Sequence, residues 1–267
     1  MIRDITLGQY YQTDSVIHRL DPRVKLVATI AFLCSLFIVK NFIGYLIAAI
    51  FLGCMIKLSH VPFRYMIKGM RAIAFLLLLT FVFNLFLTPG EVVWSAWKLQ
   101  ITKEGISLAV KMAIRLTFLI IGSSVMTLTT TPNNLTDGME RLMKPLRIFK
   151  VPVHEVAMMM SIALRFIPIL LEETDKIMKA QMARGADFET GNLIKKAKNL
   201  VPLLVPLFIS AFRRANDLAM AMEARCYHGG EGRTKMKPLV YKMRDRVAYL
   251  MLMGYFAIII VSRYVPL

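Results

Sequence analysis

The chain has 267 residues, 57% of them hydrophobic, with a formal charge of +17 and a mean hydropathy of +0.56. A water-soluble domain of this length needs a more polar surface, so much of the chain has a lipid bilayer as its solvent. The charge is no nucleic-acid signature: no recognition motif or soluble basic domain accompanies it, and basic residues flanking apolar runs are what cytoplasmic membrane loops carry.

Met1 to Pro22 is polar and lacks a signal-peptide core; a mature multi-span membrane protein needs no cleaved signal. Apolar runs follow at Leu26–Val39 and Phe42–Ile56, separated by Lys40-Asn41. Each is short for a hydrocarbon core of about 30 Å, which takes about 20 helical residues, and snorkelling of Lys25, Lys40 and Lys57 extends them. We read two spans in a tight hairpin, with one long broken helix as the alternative. The third run, Ala72–Thr88, stops at Pro89-Gly90, a strong helix terminator. Trp94 and Trp97 then suit an interfacial aromatic belt. The fourth, Ala109–Thr131, carries Lys111 and Arg115 near its start and ends in Thr-rich sequence before Pro132. The last, Val247–Val261, is bounded by Arg244, Arg246 and Arg263.

Basic residues orient these runs. Lys57, Arg64, Lys68 and Arg71 lie between the second and third, and Pro132 to Arg246 holds 20 Lys+Arg against 12 Asp+Glu. Pro89–Leu108 is poor in basic residues. Five spans then alternate with the N-terminus cytoplasmic and the C-terminus outside. The expected fold is an all-α polytopic membrane protein of the plasma membrane, with about five transmembrane helices plus long cytoplasmic or interfacial helices. Residues 1–131 form a membrane region of four spans, 132–238 a cytoplasmic helical region, and 239–267 the last span.

The central region reads as three helices, about Asn133–Leu146, Val153–Gly185 and Asn192–Cys226. The two long ones begin apolar and become charged toward their ends. Pro168, Pro202 and Pro206 fall in the apolar parts, where proline usually bends or breaks a helix. They fit helices lying on the bilayer or packed against another hydrophobic protein; two ordinary spans are the alternative and leave the alternation unchanged. Met158, Met159 and Met160 supply soft, adaptable surface of the kind that accepts several partners.

Enzymatic chemistry finds little support. The five apolar runs contain no Asp or Glu, and Ser123-Ser124 has no His or acid nearby in sequence, so close helix packing explains these serines. An ion-coupled carrier commonly uses an intramembrane acid. No phosphate-binding GxxxxGK[ST] loop occurs. Cys34, Cys54 and Cys226 lack CxxC spacing, and His18, His60, His154 and His228 are scattered, so neither a metal site nor a disulfide framework is expected. Glu172-Glu173-Thr174-Asp175 is explained by helix-surface pairs, Glu172 with Lys176 and Asp175 with Lys179, as is Arg213 with Asp217.

One motif appears twice. Ala180-Gln181-Met182-Ala183-Arg184-Gly185 returns 41 residues later as Ala221-Met222-Glu223-Ala224-Arg225-Cys226. Each copy closes a long helical segment. An Arg before a small residue at a helix C-terminus suits a cap, with Gly185 at the left-handed position and the cation on the macrodipole. That accounts well for the first copy and less well for Cys226. The alanines make a smooth face for close approach, and an Arg beyond it offers a planar fork to acidic or carbonyl groups. Such arginines are typical interface anchors, so the pair points to docking onto two similar partners.

With these motifs, the chain resembles the transmembrane coupling (T) component of energy-coupling factor transporters. The stretch His18-Arg19-Leu20-Asp21-Pro22-Arg23-Val24-Lys25-Leu26 is similar to one near the start of that family. The resemblance implies a non-catalytic subunit of an ABC-type importer, joining two cytoplasmic ATPases to a small membrane S component that captures a micronutrient such as a vitamin. It makes 132–238 a coupling-helix region. Docking to the ATPases falls on Ala183, Arg184, Gly185, Ala224, Arg225 and Cys226, and contact with the S component on Met158, Met159, Met160, Leu203 and Leu204. Asp21, Pro22 and Arg23 become a structural motif at the membrane entry. The chain itself needs no cofactor, ATP and magnesium being bound by the partner ATPases, whose closure would tilt the platform and move the S component. The S component selects the substrate, and several can be interchangeable on one platform; cobalt or nickel ions are possible cargo beside vitamins. In the second motif Cys226 replaces the usual Gly, which puts in doubt a backbone conformation there that needs glycine. A self-sufficient carrier or channel is the competing function, and a membrane-bound enzyme the third.

Overall fold

The computed structural model describes residues 10–39, 41–96, 99–186, 188, 193–230, 236 and 238–264. Its elements, in order, are α1 (Pro22–Ile38), α2 (Phe42–Ser59), α3 (Phe63–Leu87), a ribbon of β1 (Val92–Ala96) and β2 (Leu99–Thr102), α4 (Lys103–Thr129), α5 (Pro132–Met143), a 3-10 turn (Lys144–Phe149), α6 (Val153–Ala183), α7 (Leu193–Glu223) and α8 (Met243–Tyr264). The chain is an all-α membrane fold, apart from that short antiparallel ribbon. Lys40, Trp97 and the side chain of Trp94, which bear on the snorkelling and belt readings, lie outside what is described. Among the described residues, α2, α4, α6 and α8 have the length and apolar composition to cross a bilayer, and α3 contributes the shorter apolar stretch Ile73–Leu87. Helix α3 starts nine residues before its apolar run, so Arg64, Lys68 and Arg71 belong to the helix and not to a loop.

Contacts divide the chain into two units. One comprises the described residues of 8–142 with 239–267, the other those of 143–238. In the first, α1 and α2 each pack on α4 and α8, and α3 packs on α4. Its outer surface is apolar: Phe75 is 75% exposed and Leu250 67%, an arrangement that needs lipid, not water, around it. Lipid tails give helices no hydrophobic reason to associate, so close packing and polar contacts must do it. A Cβ on Gly122 of α4 would stand 2.7 Å from the Phe32 ring of α1, so glycine is what lets these helices approach. Phe51 stacks on Tyr255 with ring centroids 4.3 Å apart, and the Tyr255 hydroxyl shares a 2.7 Å hydrogen bond with Ser35. Ser123 and Ser124 turn their hydroxyls back to the Ile120 carbonyl.

The polar ends of this unit are tied more tightly. Asp21 is the N-cap of α1, accepting from the Arg23 backbone N–H, with Pro22 in the first turn, where its missing N–H is no loss. The Asp21 carboxylate also takes Arg23 Nε at 3.0 Å and an Arg23 terminal nitrogen at 2.7 Å. The Asp21 backbone N–H donates to Asp245 Oδ1 at 2.9 Å, and Lys242 N–H donates to Asp245 Oδ2 at 2.7 Å. Asp245 sits in the first turn of α8 and is 2% exposed. It thus satisfies two backbone donors, one of its own helix start and one of α1's. The Arg23 guanidinium lies 3.8 Å over the Tyr241 ring. Buried Lys25 completes the junction, its Nζ donating to the carbonyls of Thr129 (2.8 Å) and His18 (3.2 Å). Burial opposes ionisation of Asp21, but its bonds to Arg23 outweigh that and hold the carboxyl below the usual carboxylate range.

In the second unit α6 and α7 form an antiparallel hairpin. Glu173 pairs with Arg214 at 3.2 Å, and Gln181 Nε2 donates to the Pro202 carbonyl at 3.3 Å. The two long helices run unbroken through their prolines, each for 31 residues. The reason is visible at Pro206. Its missing N–H frees the carbonyl four residues back, which is that of Pro202, and Gln181 from α6 supplies the donor.

Replacing Asp245 with Ala leaves the N–H groups of Asp21 and Lys242 without their acceptor, at a cost of about 2 kcal/mol. The thermal midpoint in detergent should fall clearly. Asp14→Ala, which removes the exposed pair with Arg19, should leave it unchanged. Equal midpoints for both variants would contradict the junction's role. The Asp21–Arg23 contribution should be complete above pH 4 and be lost only as pH falls below the usual carboxylate value of 3.8, because the folded carboxyl titrates lower still; Asp21→Asn should abolish that acid-limb loss.

Candidate functional site

The repeated motif ends both helices of the hairpin, and the two ends have one geometry. At α6, Gly185 N–H bonds the Met182 carbonyl (2.9 Å) and Ala186 N–H the Gln181 carbonyl (3.0 Å). At α7, Cys226 N–H bonds the Glu223 carbonyl (2.8 Å) and Tyr227 N–H the Met222 carbonyl (3.1 Å). Each is a paired three-back and five-back closure, the Schellman arrangement, with the Arg in the position just before the left-handed residue. It requires a left-handed residue after the Arg, and Gly185 (φ +88°) and Cys226 (φ +55°) both supply it. The conformation in doubt for Cys226 is therefore adopted, with the β-carbon accepting a strain of about 1–2 kcal/mol. The cap accounts for the small residue in both copies, but not for the arginine.

Neither Arg184 nor Arg225 contributes a side-chain hydrogen bond to its cap, and neither is paired among the described residues; both side chains are exposed. Ala183 and Ala224 beside them are exposed as well. Because α6 and α7 run antiparallel, the two arginines stand at opposite ends of the hairpin, and a helix of 31 residues is roughly 46 Å long at about 1.5 Å per residue. Beside Arg225 opens a cleft of about 580 Å³, lined by Met158, Arg165, Met222 and Cys226 among others, so a second cation faces the same space.

The expected S-component residues divide. Met159 (57% exposed), Met160 and Leu204 lie on the surface, and Met158 is half-buried. Leu203 is buried at 5%, which corrects its placement on a partner-facing surface: one step along a helix turns a side chain by about 100°, and Leu203 and Leu204 cannot share a face. Exposed Val201, Val205, Phe208 and Phe212 of α7 extend the apolar surface; the expectation missed them, although their alternating four- and three-residue spacing was a legible signal. Asp21, Pro22 and Arg23 lie in the other unit, at the junction with Asp245, and Asp245 had no sequence signal that set it apart from the flanking Arg244 and Arg246.

With the left-handed strain confined to one copy, Cys226→Gly should stabilise the α7 end by about 1 kcal/mol. Gly185→Ala should cost about as much at α6, where an added β-carbon meets no atom within 4 Å and backbone strain alone acts. Hydrogen exchange of the last turn of each helix checks both signs.

Comparison with known proteins places the whole chain. A family model described as CbiQ, cobalt transport protein, matches residues 13–236. Among curated relatives, the energy-coupling factor transporter transmembrane protein EcfT of Clostridium kluyveri is 57% identical over 265 residues, covering 98% of both chains. The protein of the same name from Thermosediminibacter oceani is 55% identical, covering 93% of this chain and 94% of its own. That of Bacillus subtilis is 46% identical, covering 92% and 93%. The chain belongs to the family of energy-coupling factor transporter transmembrane proteins, within the wider cobalt transport protein family.

Proposed function

We propose that this chain is the non-catalytic coupling subunit of an energy-coupling factor importer, linking two cytoplasmic ATPases to a substrate-binding S component for ATP-driven micronutrient uptake, vitamins foremost. The observation that carries this reading is the pair of identical helix ends, each presenting an exposed arginine that its own cap does not use. A fork of five donors left free at two matching places suits two sockets of carbonyl or carboxylate character. Ala183, Gly185, Ala224 and Cys226 keep the surroundings small enough for the sockets to close around Arg184 and Arg225. The difference between Gly185 and Cys226 suits two unequal sockets. Met158, Met159, Met160 and Leu204, with the exposed apolar residues of α7, suit a hydrophobic partner such as the S component. We assign ATP and magnesium to the ATPases, the chain itself to the plasma membrane, and the basic end of its spans, with the N-terminus, to the cytoplasm.

The double variant Arg184→Ala with Arg225→Ala should insert in the membrane normally yet lose ATPase co-purification and substrate uptake. Each single change should weaken ATPase retention by about tenfold or more, and Arg→Lys should not restore it, since an ammonium cannot reproduce the planar fork. Normal uptake by the double variant in an otherwise complete complex would refute the docking role. Met159→Asp with Leu204→Asp should release the S component while the ATPases stay bound; retention of all three partners would remove this surface from the interface. Flux through liposomes holding this chain alone, without ATP, would instead establish a self-sufficient carrier.

A further inference from the structure

The unit built from α1–α5 and α8 contains a cavity that the coupling role does not use. It has a volume of about 440 Å³ and lies among α1, α2, α4 and α8. Ile17, Val24, Phe32, Leu52, Val125 and Leu252 line its buried part. Val16, Leu58, Val247 and Met251 also line it and are 43–63% exposed, so the cavity has a mouth at the surface. Two cationic side chains border it, Lys25 and Arg244. Lys25 is committed to two backbone carbonyls. Arg244 is not: its Nε is buried and has no hydrogen-bond partner among the described residues. A guanidinium nitrogen removed from water without an acceptor is costly, and the neighbouring acid, Asp245, is already occupied by two backbone donors.

The cavity is therefore apolar along its length and lacks one anion at its edge. It also lies at the basic end of the unit, where α1 and α8 begin and α2 and α4 end, with Lys57 in the last turn of α2 and Lys242 and Arg246 beside Arg244. A methylene takes roughly the room of a water, about 30 Å³, so the volume accepts roughly fifteen methylenes, most of one acyl chain. We propose that this cavity binds an anionic phospholipid, with an acyl chain between α1, α2, α4 and α8 and the headgroup phosphate on Arg244. A bound lipid would give the Arg244 guanidinium an anion and fill a void between helices whose starts are tied by Asp21 and Asp245. A zwitterionic lipid supplies the same chain, but its ammonium cancels the attraction to this basic rim.

The test uses the full-length chain in nanodiscs of phosphatidylcholine, doped either with phosphatidylglycerol or with phosphatidylcholine carrying the same photoactivatable acyl chain. After irradiation, labelled peptides are mapped. The phosphatidylglycerol probe should label the cavity segments of α1 and α8 about fivefold more than the phosphatidylcholine probe, as expected for one cation near the membrane surface. Arg244→Gln should erase that preference, and Arg244→Lys should retain most of it. Ala248→Trp, which fills the cavity and leaves every charged residue in place, should remove cavity labelling by both probes. Equal labelling by the two headgroups in the unaltered protein would overturn the proposal. So would a preference that survives Arg244→Gln, or labelling confined to the outer faces of α2 and α3. The headgroup comparison needs no variant, and none of these readouts depends on the ATPases or on uptake, so they stand or fall apart from the coupling reading.

Discussion

Two aspartates at two helix starts hold the membrane unit together. Asp21 caps α1, and Asp245 closes the first turn of α8 while also accepting the Asp21 backbone N–H. Helix N-termini carry positive partial charge, and each carboxylate sits at one of them. Arg23 then neutralises Asp21 and lies over Tyr241, and Lys25 ties the start of α1 to the end of α4 through the Thr129 carbonyl. Asp21, Arg23, Lys25 and Asp245 each have a partner, which is the condition under which burying charge is tolerated. Three helix ends are thereby brought to one place, and the apolar contacts further along, Phe32 on Gly122 and Phe51 on Tyr255, follow from where those helices begin.

The hairpin of α6 and α7 is organised differently. Among the described residues, an ion pair and a bond to a proline-freed carbonyl join its helices. Much of its surface is apolar and exposed, and each of its outer ends is finished by a backbone cap that leaves an arginine over. The cap and the arginine are separable in physical terms. The cap needs a residue tolerant of positive φ and nothing more, whereas the exposed guanidinium takes no part in it. The repeat couples the two because the cap fixes the backbone at the residue that carries the guanidinium.

Hydropathy and charge made most of the helices legible, since a run of apolar residues has few alternatives in lipid. Where a helix continues past its apolar run, the same signal fails: Phe63 to Arg71 reads as a basic loop and is the first part of α3. At Pro206 the damage that proline does to a helix is a free carbonyl, that of Pro202, and a side chain on the neighbouring helix repairs it. At the candidate site the two arginines and their small neighbours were legible as a repeat. The burial of Leu203 and the use of a left-handed conformation by Cys226 were not, the first because it depends on which face of α7 is covered, the second because cysteine has no preference for that region.

The sequence by itself determined that the chain lives in a membrane, which segments are apolar, and that two helices finish alike. These are local or additive properties, carried by runs, counts and short spacings. The tertiary structure decided that Asp21 meets Asp245 across 224 residues, that Gln181 completes Pro202, and that Arg244 borders an apolar cavity with its Nε unsatisfied. Each of these depends on helix ends converging in three dimensions, and a hydrogen bond that forms only within about 3 Å leaves no trace in the spacing of residues along the chain.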